Sequence, residues 1–219
     1  MTSRRSSLFL AVAMLASSTA FATRQPFPEP AFDPPAAADQ KTETAVLAGG
    51  CFWGMEGLYE RVKGVQKVVS GFAGGNKSTA HYEMVSSGST GHAESVEIVF
   101  DPHQITYGQL LMVFFSVAHN PTELNRQGPD SGTQYRSAIF FTTDNQKKVA
   151  DAYIQQLDQA HVYSKPIVTQ VVPFKAFFAA EAYHQHFLDN NMMHPYIVYN
   201  DLPKLSALKK QYPQFCKRK

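Results

Sequence analysis

The sequence predicts a mixed α/β (α+β) fold, a two-layer sandwich with a ferredoxin-like split βαβ core and a mixed sheet. The first observation is that apolar segments with the alternation of strands are interleaved with segments of helical spacing. The second is their order, β-α-β-β-α-β-α-β, which fits a split βαβ arrangement. The third is that no Gly-x-Gly-x-x-Gly motif follows a strand, so a Rossmann fold fits less well.

Hydrophobic periodicity places each element along the chain. The first strand is a continuous apolar run that reads as buried, whereas later strands alternate between apolar and polar residues. The predicted strands cover residues 44–48, 65–70, 94–100, 136–141 and 167–172. The predicted helices cover about residues 51–62, 107–118, 144–160, 179–188 and 204–212.

The first 22 residues have the pattern of an export signal. Arg4 and Arg5 give a positive start, an apolar stretch follows, and Ala20-Phe21-Ala22 is a small-residue cleavage site. The apolar stretch is too short for a permanent membrane helix, so we expect cleavage after Ala22 and no stable membrane insertion. The signal predicts an exported protein, located in the periplasm.

The remaining chain divides into a tether and one domain. Residues 23–41 are rich in Pro and Ala, which is typical of a flexible tether. No linker interrupts residues 42–219, so we expect one catalytic domain that ends in a mobile C-terminal tail. Removing Arg4 and Arg5 lowers the formal charge from +2 to zero, which argues against nucleic-acid binding. We expect a monomer.

Cys51 is the most informative residue, because it lies between Gly50 and the aromatic pair Phe52-Trp53 at the start of a predicted helix. Unpaired N–H groups and the helix dipole at such a position favour the thiolate form. The alternative is a buried structural cysteine. The flanking glycines favour a reactive thiol.

Several motifs together resemble the peptide methionine sulfoxide reductases of the A class. The motif around Cys51 is similar to the active-site signature of that family, and further motifs match in order over about residues 44–210. The matching segments are Gly-Cys-Phe-Trp-Gly at 50–54, Gly-Phe-Ala-Gly-Gly at 71–75, Thr-Gly-His-Ala-Glu at 90–94, Asn-Arg-Gln-Gly at 125–128, Gly-Thr-Gln-Tyr-Arg-Ser at 132–137 and Ala-Glu-Ala-Tyr-His-Gln at 180–185.

The resemblance implies reduction of methionine S-sulfoxide, free or in proteins, by attack of the Cys51 thiolate on sulfur, in the service of protein repair after oxidative damage. Phe52 and Trp53 would form the walls of a pocket for the S-methyl group. Glu94, which begins an otherwise apolar strand, would be held protonated and would donate the proton to the sulfoxide oxygen.

Three further residues match positions of the family. Tyr82 and Tyr135 would share the sulfoxide oxygen through their hydroxyls, although ordinary core tyrosines would look the same. Asp130 would bind the main chain of the substrate or the reductant. His184 is better explained as a structural histidine than as a catalytic base.

Cys216 is the second and last cysteine of the chain. Family members that recycle through a disulfide carry a resolving cysteine in a mobile C-terminal tail, commonly in a glycine-rich motif that is missing here. Basic neighbours and a movable chain end favour a resolving role for Cys216. The resemblance implies a thioredoxin-like protein as reductant and no cofactor. No His/Cys spacing resembles a zinc site, so we expect no metal.

Two other functions use the same residues. A cysteine acyl-hydrolase would need a histidine held against Cys51, and it would leave Glu94 and the tyrosines without a role. A non-catalytic exported domain could be stapled by a disulfide between Cys51 and Cys216. The lack of a Cys-x-x-Cys motif argues against a thioredoxin-type isomerase.

Overall fold

The computed structural model describes residues 27–217; the predicted export signal and the start of the predicted tether lie outside them. A six-stranded sheet is the centre of the fold. Its strands are β1 (Glu43–Gly49), β2 (Val65–Ala73), β3 (Ala93–Phe100), β6 (Ser137–Phe141), β7 (Gln170–Pro173) and β8 (Phe177–Ala179). A separate two-stranded ladder consists of β4 (Arg126–Gln127) and β5 (Asp130–Ser131).

The strand order of the main sheet is β7-β6-β1-β3-β2-β8. All neighbours are antiparallel except β6 and β7, which are parallel. β3 lies between β1 and β2, so the connection between these two strands passes over a third strand. The predicted mixed α/β class is confirmed. The closer likeness to a ferredoxin-like fold stays a prediction.

Six α-helices complete the described part of the chain. They are α1 (Phe52–Tyr59), α2 (Tyr82–Val85), α3 (Tyr107–Val113), α4 (Asp144–Gln159), α5 (Phe187–Asn190) and α6 (Leu202–Gln211). Over residues 27–217, no helix combines the length and apolar character needed to cross a bilayer. The main core contains the apolar side chains of α1, α3 and α4 together with one set of strand residues, including Leu47 and Ile98.

β1 explains why the first apolar run has no alternation. Its last five residues are all buried, because β1 is a central strand with apolar neighbours on both faces. Leu47 belongs to the large core cluster, whereas Val46 and Ala48 belong to a smaller cluster with Phe140. Because the end of β1 is buried on both faces, the turn that follows it also lies inside the protein, and so does Cys51.

The predicted helix at 179–188 is wrong. The structure has strand β8 there, followed by a 3-10 turn at Ala182–His184 and the short helix α5. The Gln185 side chain accepts a hydrogen bond from Ser70 N at 3.1 Å and donates to Ser70 O at 2.9 Å. Hydrogen bonds to β2 therefore fix this segment and replace those that a continuous helix would form.

The Pro/Ala-rich stretch is a docked arm over residues 27–41, which corrects the expectation of a flexible tether there. The Tyr153 hydroxyl of α4 donates to Pro28 O at 2.6 Å. Asp33 accepts from Gly108 N at 3.1 Å at the start of α3. These bonds hold the arm against two helices of the domain.

The C-terminal tail is docked as well and is not free in this structure. Cys216 forms an antiparallel bridge with Val62, in the loop that follows α1. Lys63 N donates to Phe215 O at 2.6 Å on one side of that bridge. The predicted mobile tail is thus attached to the end of α1 that lies away from Cys51.

Candidate active site

Cys51 caps helix α1 directly after β1. Gly50 before it has φ +90°, a conformation that side chains other than glycine rarely adopt. A Cβ at Gly50 would also overlap Gln127, since it would lie 2.5 Å from Gln127 Cγ. Only glycine therefore permits the sharp turn that places Cys51 at the start of the helix. Cys51 is 9% exposed there.

The electrostatic surroundings of Cys51 differ from the prediction. Burial raises the pKa of the thiol well above its ordinary value, and the charges of Glu94 and Asp201 raise it further. The backbone N–H of Trp53 and the Lys204 ammonium lower it, but these effects are smaller. The helix terminus lowers the pKa of Cys51 by less than burial raises it, so the resting enzyme holds a thiol.

Glu94 lies beside Cys51 in the form predicted for an acid. Its side chain is 2% exposed, and its Oε2 accepts a hydrogen bond from Phe52 N at 3.0 Å, at the first turn of α1. Burial raises the pKa of Glu94 to about 8, although the bond from Phe52 lowers it. Glu94 is therefore mostly protonated at neutral pH and can donate a proton.

The two aromatic residues after Cys51 have different surroundings. Trp53 is partly exposed and stacks on Phe187, with ring centroids 3.8 Å apart. Phe52 is 1% exposed and packs against Phe72 and His184. Of the two rings predicted to wall a pocket, Trp53 presents a face at the surface, and Phe52 is part of the core.

Tyr82 and Tyr135 both lie within electrostatic range of Cys51 and Glu94. Burial raises the pKa of each hydroxyl, and the charge of Glu94 is the next cause for both. The charges of Cys51 and Asp130 act on both hydroxyls as well. The structure therefore brings Glu94, Tyr82 and Tyr135 close to Cys51, and the two tyrosines stay protonated donors.

Known proteins are similar to this chain over most of its length. Residues 43–215 match the family model described as peptide methionine sulfoxide reductase. A peptide methionine sulfoxide reductase MsrA 2 of Mesorhizobium japonicum is 62% identical over 78% of this chain and 88% of its own length. A namesake from Synechocystis sp. is 53% identical over 84% of this chain and 87% of its own. The chain belongs to the peptide methionine sulfoxide reductase family.

Solved structures agree with this assignment. The reduced form of Mxr1 from Saccharomyces cerevisiae has a TM-score of 0.63 and 34% identity, covering 73% of this chain and 91% of that one. Methionine sulfoxide reductase A of Corynebacterium diphtheriae has a TM-score of 0.61 and 36% identity, covering 72% and 78%. This reductase is an oxidoreductase that reduces methionine sulfoxide with a thiol reductant and no prosthetic group.

Two buried histidines of the reductase have structural partners. His184 is buried, and its Nδ1 accepts a hydrogen bond from Trp53 Nε1 at 3.1 Å. Burial lowers the pKa of His184, so the ring is neutral and orients Trp53. His119 bonds Ser137 Oγ at 2.7 Å, and burial lowers its pKa to about 3. In residues 27–217 no histidine hydrogen-bonds Cys51, which argues against the acyl-hydrolase.

Asp201 and Lys204 are site residues that the sequence analysis missed. Asp201 is fully buried, and its Oδ1 accepts from Lys204 Nζ at 3.1 Å. A Cβ at Gly54 would overlap Asp201 Oδ1, so the second glycine of the Cys51 motif makes room for this pair. The sequence shows that Asp201 and Lys204 are three residues apart, a spacing that allows an ion pair on a helix. No local pattern relates this pair to Cys51, which lies 150 residues earlier.

Tyr196 is a second residue that the sequence analysis missed. Its hydroxyl donates to Asp130 Oδ2, and its ring meets Trp53 edge to face at 5.9 Å. Tyr196 thereby connects the predicted substrate-binding Asp130 to the aromatic wall. A lone tyrosine between Pro195 and Ile197 carries no local signal for such a role.

Cys216 does not lie beside Cys51. Both thiols are free, and the Cys216 sulfur contacts Tyr212 O at 3.5 Å. Cys51 begins α1, whereas Cys216 pairs with Val62 beyond its other end, and eight helical residues span about 12 Å. The disulfide of the stapled-domain alternative is therefore not formed, and a resolving role requires the tail to undock.

Proposed function

We propose that this reductase acts on methionine S-sulfoxide, free or in oxidised proteins, with Cys51 as nucleophile and Glu94 as acid. The observation that carries the proposal is a buried, protonated carboxyl bonded to the first turn of the helix that Cys51 caps. General acid catalysis needs such a proton within reach of the oxygen that leaves sulfur.

The reaction balances with these two residues. The Cys51 sulfur attacks the sulfoxide sulfur and forms an S–S bond while the S–O bond breaks and the oxygen leaves as hydroxide. The hydroxide then attacks the Cys51 sulfur, which breaks the S–S bond, releases the thioether and leaves a sulfenic acid on Cys51. The substrate sulfur gains two electrons and becomes a thioether, and the cysteine sulfur loses two. Glu94 donates a proton to the oxygen in the transition state and recovers one from the Cys51 thiol.

The substrate is oriented by the groups around Cys51. Tyr82 and Tyr135 offer hydroxyl donors to the sulfoxide oxygen, since their raised pKa values keep them protonated. The partly exposed face of Trp53 offers an apolar wall to the methyl group. Asp130, held by Tyr196, offers an acceptor for a main-chain N–H of the substrate.

Regeneration of Cys51 requires a second thiol. We propose that the tail undocks from residues 61–63 and that the Cys216 thiol condenses with the sulfenic acid, which releases water and forms a disulfide. A thioredoxin-like dithiol then reduces that disulfide. The partly exposed position of Cys216 and the few bonds that hold the tail support this step.

We propose export to the periplasm and a monomeric enzyme. The charged start, apolar stretch and cleavage pattern of residues 1–22 support export. A single chain carries every site residue named above, which supports a monomer. Mass spectrometry of the exported protein should show a chain that begins at Thr23, and light scattering should give the mass of one chain.

The activity is tested with the separate S and R epimers of methionine sulfoxide and dithiothreitol as reductant. The wild type should turn over the S epimer alone, Cys51→Ser should be inactive, and the matched variant Cys216→Ser should keep activity with this small thiol. Turnover by Cys51→Ser, or equal rates on both epimers, would overturn the proposal.

A further inference from the structure

A second cluster of ligating side chains lies beside α1, beyond the active cysteine. Glu56 and Glu60 are one helical turn apart, and His186 approaches them from the residue before α5. One ligand atom from each of the three side chains lies within 4.8 Å of the others. The reduction of methionine sulfoxide uses none of these three residues.

Glu56 is the buried member of this cluster. Its side chain is 1% exposed, and Oε2 accepts from Ser70 Oγ at 3.0 Å and from His186 N at 2.9 Å. The other oxygen, Oε1, is buried and has no hydrogen-bond partner among residues 27–217. Oε1 faces His186 Nδ1 at 3.9 Å.

We propose that Glu56, Glu60 and His186 form a binding site for Zn²⁺. One imidazole nitrogen and two carboxylate oxygens are ligands that Zn²⁺ accepts in tetrahedral sites, and the exposed side of His186 leaves room for water as a fourth ligand. A cation there would also offset the repulsion between the two carboxylates. Burial, followed by the charge of Glu60, raises the pKa of Glu56 to about 7.

The required adjustments are small. Ligands about 2.0–2.2 Å from a tetrahedral zinc lie about 3.3–3.6 Å from one another. His186 Nδ1 is now 2.6 Å from Glu60 Oε1 and 3.9 Å from Glu56 Oε1, so one distance must lengthen and the other shorten. The His186 side chain is 60% exposed and Glu60 20%, so both can rotate, while Glu56 stays fixed by its two hydrogen bonds.

A metal bound here would stiffen the contact between Trp53 and Phe187. It joins α1 to the segment that begins with His186, and the next residue, Phe187, stacks on Trp53 at 3.8 Å. Trp53 is the only tryptophan of the chain, so its fluorescence reports on this contact. The metal would act through this position and would take no part in the transfer of oxygen.

Zinc binding is tested on tag-free, EDTA-treated protein that carries Cys51→Ser and Cys216→Ser, so that no thiol competes. Calorimetry at pH 7.5 should show one equivalent of bound Zn²⁺ and a change in Trp53 fluorescence at the same ratio. His186→Gln and Glu60→Gln should each weaken binding at least about tenfold. The melting temperature should rise about 5 to 10 °C at a hundredfold excess over Kd.

Asp189→Asn is the matched control, because Asp189 is an acid of the same segment that pairs with Arg61 outside the cluster. Its affinity for Zn²⁺ should stay within twofold of the parent. The proposal is overturned if no saturable binding occurs up to 1 mM Zn²⁺. It is equally overturned if His186→Gln and Glu60→Gln bind Zn²⁺ as tightly as the Asp189→Asn control.

Discussion

Two glutamates are buried against helix α1, and their neighbours give them different chemistry. Glu94 is bonded to Phe52 N, next to the Cys51 thiol, and burial raises its pKa to about 8. Glu56 is bonded to Ser70 and to His186 N, and the charge of Glu60 contributes to the rise of its pKa. Of these two glutamates, Glu94 lies where it can donate a proton to the sulfoxide oxygen of a substrate at Cys51.

Glu94→Gln should lower kcat/KM about 10²–10⁴-fold, because glutamine keeps the size of the side chain and loses the proton. The wild-type rate should fall as the pH rises through about 8, where Glu94 loses its proton, and the variant should lack this alkaline limb. Steady-state rates from pH 6 to 10 measure both effects. Glu97→Gln, on the same strand, is the control, and a Glu94→Gln profile equal to that control would assign the acid elsewhere.

Asp201→Asn should lower the pKa of Cys51, because the Asp201 charge raises it and asparagine carries none. A shift of one unit is a tenfold change in the thiolate fraction. The rate of iodoacetamide alkylation of Cys51, measured against pH in the Cys216→Ser background, should rise several-fold at pH 7. An unchanged or slower rate would show that Asp201 does not control this thiol.

Individual elements were predictable where local pattern decides them. The turn from β1 to α1 followed from Gly49-Gly50 and an apolar run, and it placed Cys51 correctly at a helix start. The segment at 179–188 failed because Gln185 bonds to β2, more than 100 residues earlier. The raised pKa of Cys51 was missed for a similar reason, since burial depends on the whole fold.

Phe52 and Trp53 at the start of α1 should respond differently to truncation. Trp53→Ala should lower kcat/KM for methionine sulfoxide with little loss of stability, because its ring is partly exposed. Phe52→Ala should destabilise the protein by about 3–5 kcal/mol, because its ring is buried between Phe72 and His184. Urea unfolding and steady-state kinetics on both variants decide the matter. Equal stability losses would contradict the separation of these roles.

The whole molecule places its two thiols at opposite ends of one helix. The sequence led us to expect a mobile tail and a resolving Cys216, but it could not show that the tail is bonded to residues 61–63. The Asp201–Lys204 pair and the Glu56–Glu60–His186 cluster are likewise products of long-range contacts. The motifs were enough to predict Cys51 and Glu94 as reacting residues, whereas the groups around them could be found only from the tertiary structure.

The tail should undock during turnover. One equivalent of methionine S-sulfoxide added to the reduced wild type should consume both free thiols and leave a Cys51–Cys216 disulfide, detected by thiol titration and peptide mapping. Cys216→Ser should complete one turnover and then stall with a thioredoxin-like reductant. One free thiol remaining in the wild type would make Cys216 a bystander, with Cys51 restored directly by the outside reductant.

The most direct test of the central claim is a single turnover with Cys216→Ser in the presence of dimedone, which traps sulfenic acids. The account predicts one equivalent of methionine per enzyme and one dimedone adduct, located on Cys51 by peptide mass spectrometry. The double variant Glu94→Gln, Cys216→Ser should form the same adduct much more slowly. Methionine formed without an adduct on Cys51 would contradict the attack of this cysteine on the sulfoxide.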